Sequence, residues 1–224
     1  MATYTVYVYG IFTRDALSGE NGKRCRTRLN QDIRTANQTW KVGGTDIINF
    51  VSGGTFFSPL LLNATSLTSS ETMSKGGAVD SLIQQTKRHT NHRMAIYVVY
   101  LSGDFFAGGR QTVGVALPDF EDFRNESDFK LFGHIALSDR AADTYTLAHE
   151  VGHILFTRFH SAQNQFISDD PSGPYIHPQT GRKDPSHNNE RNNIMYPAIP
   201  SVHPLITSQQ CHRARQSKVV FVRD

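Results

Sequence analysis

The sequence predicts an α/β (α+β) fold, a sheet packed by helices. Three observations support this. Met94 to Leu101 is a near-continuous apolar run, as a central strand covered on both faces requires. Leu29, Ile33, Ala36 and Trp40 recur at the spacing of one helix face. Tyr145 to Leu155 is apolar and long enough for a second helix. At 224 residues the chain can form one domain, or two closely packed lobes, around a substantial core.

In chain order, Thr3 to Tyr9 is β-branched and aromatic and reads as the first strand. Arg14 to Lys23 has the Ser, Gly and Asn of a loop. The first helix is expected from Thr27 to Trp40, with Gly43-Gly44 ending it. Ile47 to Val51 is a second strand. Ser52 to Gly77, rich in Ser, Thr and Gly, reads as a long connection docked by the apolar stretch Phe56 to Leu62. Val79 to His89 is expected to be helical, with Leu82, Ile83 and Thr86 inward. Gly108 to Pro118 gives a glycine-rich turn and a short strand. Phe132 to Ser138 is the last strand before the second helix, for which Asp143-Thr144 is the expected N-cap. Phe156 to Asp184 is polar and carries Asp169-Asp170-Pro171-Ser172-Gly173-Pro174 and Pro178-Gln179-Thr180-Gly181, so it reads as loop. Thr207-Ser208-Gln209-Gln210 has the form of a capping box opening a C-terminal helix, and Val219, Val220 and Phe221 suit a tail or late strand.

Composition excludes several classes. With 38% apolar and 19% charged residues and no apolar run of membrane-spanning length, the chain reads as soluble and globular. A net charge of +3 is too small to argue for nucleic acid or a membrane surface. No basic segment followed by an apolar one opens the chain, so no signal peptide is visible, and secretion or delivery by a non-standard route is the expectation. Two cysteines, Cys25 and Cys211, make no disulfide framework; whether they pair is open.

The chemistry is concentrated in His149-Glu150-Val151-Gly152-His153. On a helix, residues four apart share a face, so the two imidazoles can bind one zinc ion while Glu150 reaches its open coordination position. The same pentapeptide also occurs by chance in amphipathic helices without metal. Here Leu147, Ala148, Val151, Ile154 and Leu155 bury the helix, and burial penalises two histidines and a glutamate unless something pairs with them. A cation satisfies all three. A catalytic zinc needs a third protein ligand, for which His160, His177, His187 and Glu190 are candidates. On a continuing helix His160 would lie about 10 Å beyond His153 along the axis, too far for a shared ion. Ile154 to Phe159 holds no glycine or proline to stop that helix.

Ser186-His187 followed by Met195-Tyr196-Pro197 resembles the end of the matrix metalloproteinase motif, in the metzincin clan of zinc peptidases. That clan joins H-E-x-x-H to a third histidine and a methionine turn beneath the metal. The departure is large: a glycine and then the third ligand normally follow where this chain has Phe156 and Phe159. Phe156 to Pro185 therefore reads as an insertion, expected to shape access to the cleft and not to maintain the metal site.

The resemblance implies a metzincin/zincin-like fold, with a mixed twisted sheet ending in an antiparallel edge strand, two packing helices including the zinc helix, and a small C-terminal subdomain, and one catalytic domain over residues 1–224. An upper subdomain, 1–155, would end in the zinc helix; a lower one, 156–224, would hold the insertion, third ligand and C-terminal helix. His149, His153 and His187 would bind one Zn2+, with Glu150 as general base and acid. Val113 to Leu117 would be an antiparallel edge strand taking a protein or peptide substrate by strand addition. Met195 would floor the site, and Tyr196 to Pro200 would start the wall of a substrate pocket. The implied activity is zinc endopeptidase; the alternative is an inactive zinc-binding module that holds a peptide or protein partner. An aminopeptidase would need a site for a free α-amino group, and none is identifiable. A monomer is expected. Asp169-Asp170 is a weak candidate for Ca2+, since adjacent acids ordinarily face solvent. Cys25, in Lys23-Arg24-Cys25-Arg26, reads as part of a solvated basic turn and not as a latency switch on the zinc.

Overall fold

A computed structural model describes residues 3–16, 22–42, 45–108 and 111–223. Its strands and helices, in order, are β1 (Thr3–Arg14), α1 (Gly22–Thr39), β2 (Lys41–Val42), β3 (Thr45–Asp46), β4 (Asn49–Leu61), α2 (Ser69–Thr72), α3 (Ala78–His89), β5 (Ile96–Tyr100), β6 (Gly114–Asn125) and β7 (Asp128–Leu137). There follow α4 (Thr146–Leu155), β8 (Arg158–His160), β9 (Gln165–Ile167), β10 (Tyr175–Ile176), β11 (Lys183–Asp184), α5 (Ser208–Arg215) and β12 (Phe221–Arg223).

The main sheet is mostly parallel. β1 pairs in parallel with β4 and β5, and β5 with β7; β6 runs antiparallel to β7, with nothing paired beyond it among the described residues, and β12 is antiparallel to Thr3–Thr5. Every residue of β5 is at most 2% exposed, which is why that segment lacks polar alternation. Val98 faces one core with Trp40, just past the end of α1, and with Leu147 and Val151 from α4; Val99 faces the other with Val79 and Ile83 from α3. Trp40 reaches across to donate from Nε1 to the Ala148 carbonyl at 3.1 Å, tying the end of α1 to α4.

Several expectations need correction. The long connection at Ser52 to Gly77 instead begins as strand: β4 continues to Leu61, bulging opposite Val8 and Tyr9, with Phe57 and Leu61 exposed, and α2 follows. Its two glycines mimic a loop, but Gly53 is there because the Tyr9 ring lies where a Cβ would be, 2.4 Å from Tyr9 Cζ. The basic turn around Cys25 is the start of α1, and Cys25 is buried. Cys25 and Cys211 are not joined by a disulfide. The N-cap of α4 is Tyr145; Thr144, one residue earlier, donates from Oγ1 to the Ala141 carbonyl at 2.7 Å and accepts there from the Thr146 N–H at 3.2 Å. Gly43-Gly44, and Gly109 and Arg110 of the glycine-rich turn, lie outside the described residues. The α3 helix and the Thr207/Gln210 capping box are as expected. Among the described residues, no helix is long and apolar enough to cross a membrane.

The edge strand is also longer than expected. Fully buried Lys87 on α3 extends Nζ to Asp119 (3.3 Å) and Glu121 (2.5 Å), fixing the middle of β6 from behind. The 156–184 segment is not plain loop: β8 and β9 form one hairpin, β10 and β11 another. Phe159 and Phe166 of the first hairpin pack on Phe120, Phe123 and Phe129, with the Phe120 and Phe166 rings 3.7 Å apart. Ser161 is hydrogen-bonded to Glu126.

Candidate active site

α4 carries the site because its sequence is apolar on almost every side, so both flanks of the helix are drawn into the core. His149 is 4% and Glu150 6% exposed, and His153 is half-buried. The helix ends at Leu155 with Phe156 as its C-cap, although no glycine or proline stops it. Thr157 and the strand-forming Phe159 follow, and the docking of the β8–β9 hairpin on the aromatic end of β6 competes successfully with helix continuation.

The chain then brings back His187. Its ring centroid lies 5.3 Å from that of His149 and 5.0 Å from that of His153. One ring nitrogen from each of His149, His153 and His187 falls within 4.8 Å of the others. His149 Nε2 and His153 Nε2 are 3.3 Å apart. Two nitrogens on a tetrahedral zinc, each about 2.0–2.1 Å from it, stand roughly 3.3 Å apart, so this spacing fits the ion.

Hydrogen bonds settle which nitrogens face inward. His149 Nδ1 is 2.6 Å from the Ile194 carbonyl oxygen, which can only accept, so Nδ1 donates and Nε2 keeps its lone pair. His187 Nδ1 is 2.8 Å from Asp184 Oδ2 in the same sense. Orienting contacts of this kind are what metal-binding imidazoles require. Burial pushes His149 down to about 4, with His187 nearby adding to the shift, so the ring is neutral and free to ligate at neutral pH. Burial likewise holds His153 well below its ordinary value. Burial alone pushes Glu150 up to about 8; a dication beside it would favour the carboxylate. At Asp184 burial raises the pKa, but hydrogen bonds from Ser186 and the nearby His187 outweigh it and the net shift is downward.

Two glycines set the approach distances, and neither was singled out by the sequence reading. A Cβ on Gly152 would lie 2.4 Å from Met195 Sδ, so the glycine inside the pentapeptide lets Met195, fully buried, press against the helix beneath the histidines. A Cβ on Gly114 would lie 2.7 Å from Glu150 Oε1 and 2.5 Å from Thr146 Cγ2, so only glycine lets the edge strand begin against the Glu150 carboxylate.

The turn bearing Ile194 and Met195 is braced by fully buried Gln210. Its Oε1 accepts from Asn193 Nδ2 and the Thr207 N–H, and its Nε2 donates to Asn193 Oδ1 and Asp170 Oδ2, all between 2.9 and 3.1 Å. Asn193 Oδ1 also accepts from the Met195 N–H at 2.8 Å. Every polar atom of the amide is thereby satisfied. Asp170 is thus 5% exposed and engaged, which corrects the expectation that Asp169-Asp170 faces solvent, and the pair forms no metal cluster among the described residues. The other candidates for third ligand stand apart: His160 is on β8, while His177 and Glu190 are exposed on loops. The corresponding cleft, about 910 Å3, is lined by Gln111–Ala116 and Pro118 on one side, by His149, Glu150, His153 and His187 at its base, and by Pro197–Ile199 opposite.

The fold is metalloproteinase-like. Metalloproteinase-II from Bacteroides fragilis is similar with a TM-score of 0.55 and 14% sequence identity, over 96% of this chain and 54% of that one. This chain therefore spans about half the length of that structure. A structure of a chaperone–substrate complex aligns with a TM-score of 0.49 and 16% identity, over 96% of this chain and 38% of that one, and adds nothing to the assignment. No family model matches the chain, and no curated protein matches it in sequence.

Proposed function

We propose that the chain is a zinc-dependent endopeptidase of the metzincin type, with His149, His153 and His187 as metal ligands and Glu150 as general base and acid. The observation that carries this is the convergence of three imidazoles beside a buried carboxyl group at the base of an open cleft. A zinc ion held by the three imidazoles would supply an acidified water and polarise the scissile carbonyl. Glu150 would hold the proton taken from that water and pass it to the leaving amine. Its carboxylate lies close against Gly114 at the start of β6, so proton transfer would occur next to the strand proposed to take substrate.

The edge strand has the geometry for an extended peptide. The Ser138 N–H donates to the Val113 carbonyl at 2.9 Å, so Val113 turns its carbonyl toward β7. By the alternation of an antiparallel pair, Gly114 and Ala116 turn theirs outward. Each offers one N–H and one C=O to an added strand. Pro118, next in that outward series, has no N–H and truncates the ladder, which also protects the edge from pairing with another copy. Met195 floors the site and Pro197–Ile199 walls the adjoining pocket.

The alternative, an inactive module, would be favoured by an insertion that fills the cleft. The insertion's first hairpin docks instead on Phe120, Phe123 and Phe129, and of the segment only Ser168 and Asp184 line the cleft. That supports catalysis. The deciding experiment measures zinc stoichiometry and casein cleavage for Glu150→Ala: zinc retained with hydrolysis abolished is expected, and full activity would remove the mechanism.

A further inference from the structure

We propose that Asp184 is a positioning residue that holds His187 in the tautomer and orientation needed to bind metal, making the insertion a working part of the centre. This rests on the reading of the three imidazoles as ligands. It also runs against the expectation that the insertion only governs access.

The two oxygens of Asp184 have separate tasks. Oδ1 accepts from the Ser186 N–H at 3.1 Å and from Ser186 Oγ at 2.7 Å, closing the turn that leads into His187. Oδ2 stands 2.8 Å from His187 Nδ1. Because a carboxylate accepts only, the imidazole proton stays on Nδ1 and the lone pair on Nε2. Ser186 Oγ, 3.2 Å from the same nitrogen, is the longer contact.

Asp184 is itself placed by the insertion. It pairs with Tyr175 in the β10–β11 hairpin. One residue on, the Pro185 carbonyl accepts from the Asp170 N–H at 2.8 Å, and the Asp170 carboxylate is locked to Ser172 and to buried Gln210. Gln210 in turn holds Asn193, next to the Ile194 carbonyl that orients His149. The supports of two histidines thus meet in one hydrogen-bonded network that runs through the insertion, from partly exposed Asp184 to buried Gln210.

The test uses Asp184→Asn and Asp184→Ala in the whole chain, with zinc affinity read by chelator competition. In Asp184→Asn the Oδ1 atom keeps both Ser186 donors, so the amide NH2 occupies the place of Oδ2 and points its hydrogens at Nδ1. The imidazole must then move its proton to Nε2, or turn away, and in either case it stops ligating. Positioning therefore predicts that the asparagine variant loses at least as much affinity as the alanine variant, each by about 10- to 100-fold. A role in closing the turn predicts the reverse order, since asparagine preserves the Ser186 bonds. Zinc affinity of Asp184→Asn within about threefold of the unsubstituted chain would overturn the proposal while leaving the metal site standing. Absence of zinc binding by the unsubstituted chain would instead refute the metal reading and this proposal with it. If Asp184→Ala does not fold, the asparagine variant decides alone.

Discussion

Replacing Gly152 with alanine should lower stability, against the ordinary rule for helices. In a helix interior alanine gains about 1 kcal/mol over glycine. Here the new methyl carbon would sit 2.4 Å from Met195 Sδ and 3.2 Å from its Cε, with Trp40 Cζ2 3.6 Å away on the other side. Met195 and Trp40 are both fully buried, so neither can swing into solvent. Overpacking of this kind costs about 1 to 3 kcal/mol, which outweighs the helix gain and leaves a net loss of about 1 kcal/mol. For a chain of this length that is a fall in Tm of about 2 to 4 °C. The displaced methionine also carries the Ile194 carbonyl, 2.6 Å from His149 Nδ1, so zinc affinity should fall as well. Thermal unfolding followed by circular dichroism, with chelator competition on the same samples, measures both. A Tm that rises while zinc affinity is unchanged would show that Met195 does not press on the helix, and would refute the packing argument.

Other consequences follow from the same geometry. Gly114→Ala should lower kcat with zinc retained, because its Cβ would displace Glu150 Oε1 and not a ligand; steady-state kinetics with metal analysis checks this. Acid should destabilise the fold through His134, which burial and Lys87 hold down at about 4 against Asp119, Asp80 and Glu121. Between pH 6.5 and 4 the unfolded histidine binds the proton and the folded one does not, so stability is full above 6.5 and falls as pH is lowered, by at most about 3 kcal/mol. Urea midpoints across that window should fall less steeply for His134→Gln than for the unsubstituted chain. Phe166→Ala removes the ring that meets Phe120, Phe123, Phe129 and Phe159, and half-buried as it is should cost about 2 kcal/mol. Faster proteolysis within 156–170 is the expected sign, and an unchanged cleavage rate would argue that the hairpin is held elsewhere.

The parts legible in the sequence were those written in periodicity or local chemistry. The apolar run at β5, the face of α3 and the Thr207 capping box each depend on residues close in the chain. The failures came where a distant partner overrode local preference. Gly53 and Gly54 suggested a loop, yet β1 pairs with β4 past them and the Tyr9 ring fills the space. The run Lys23 to Arg26 suggested a turn, but it opens a helix whose buried Arg28 bonds Asp32 at 2.9 Å. Nothing local ends α4 at Leu155; aromatic residues on β6 do so by capturing the following hairpin. At the site, the pentapeptide marked His149, Glu150 and His153, and the Met195 spacing marked His187. Gln210 was legible as half of the capping box but not as the brace of Asn193, and Asp184 and Gly114 were not legible at all, because these roles exist only when separate segments meet.

The most direct test of the three-histidine centre is metal analysis of four single alanine variants, at His149, His153, His187 and His160, each purified after zinc loading. Removing one of three ligands should cost several kcal/mol of metal affinity, whereas removing a bystander costs little. The account predicts little zinc in the first three and full zinc in His160→Ala, whose imidazole lies on β8 outside the cluster. Zinc-replete His187→Ala together with zinc-free His160→Ala would contradict it.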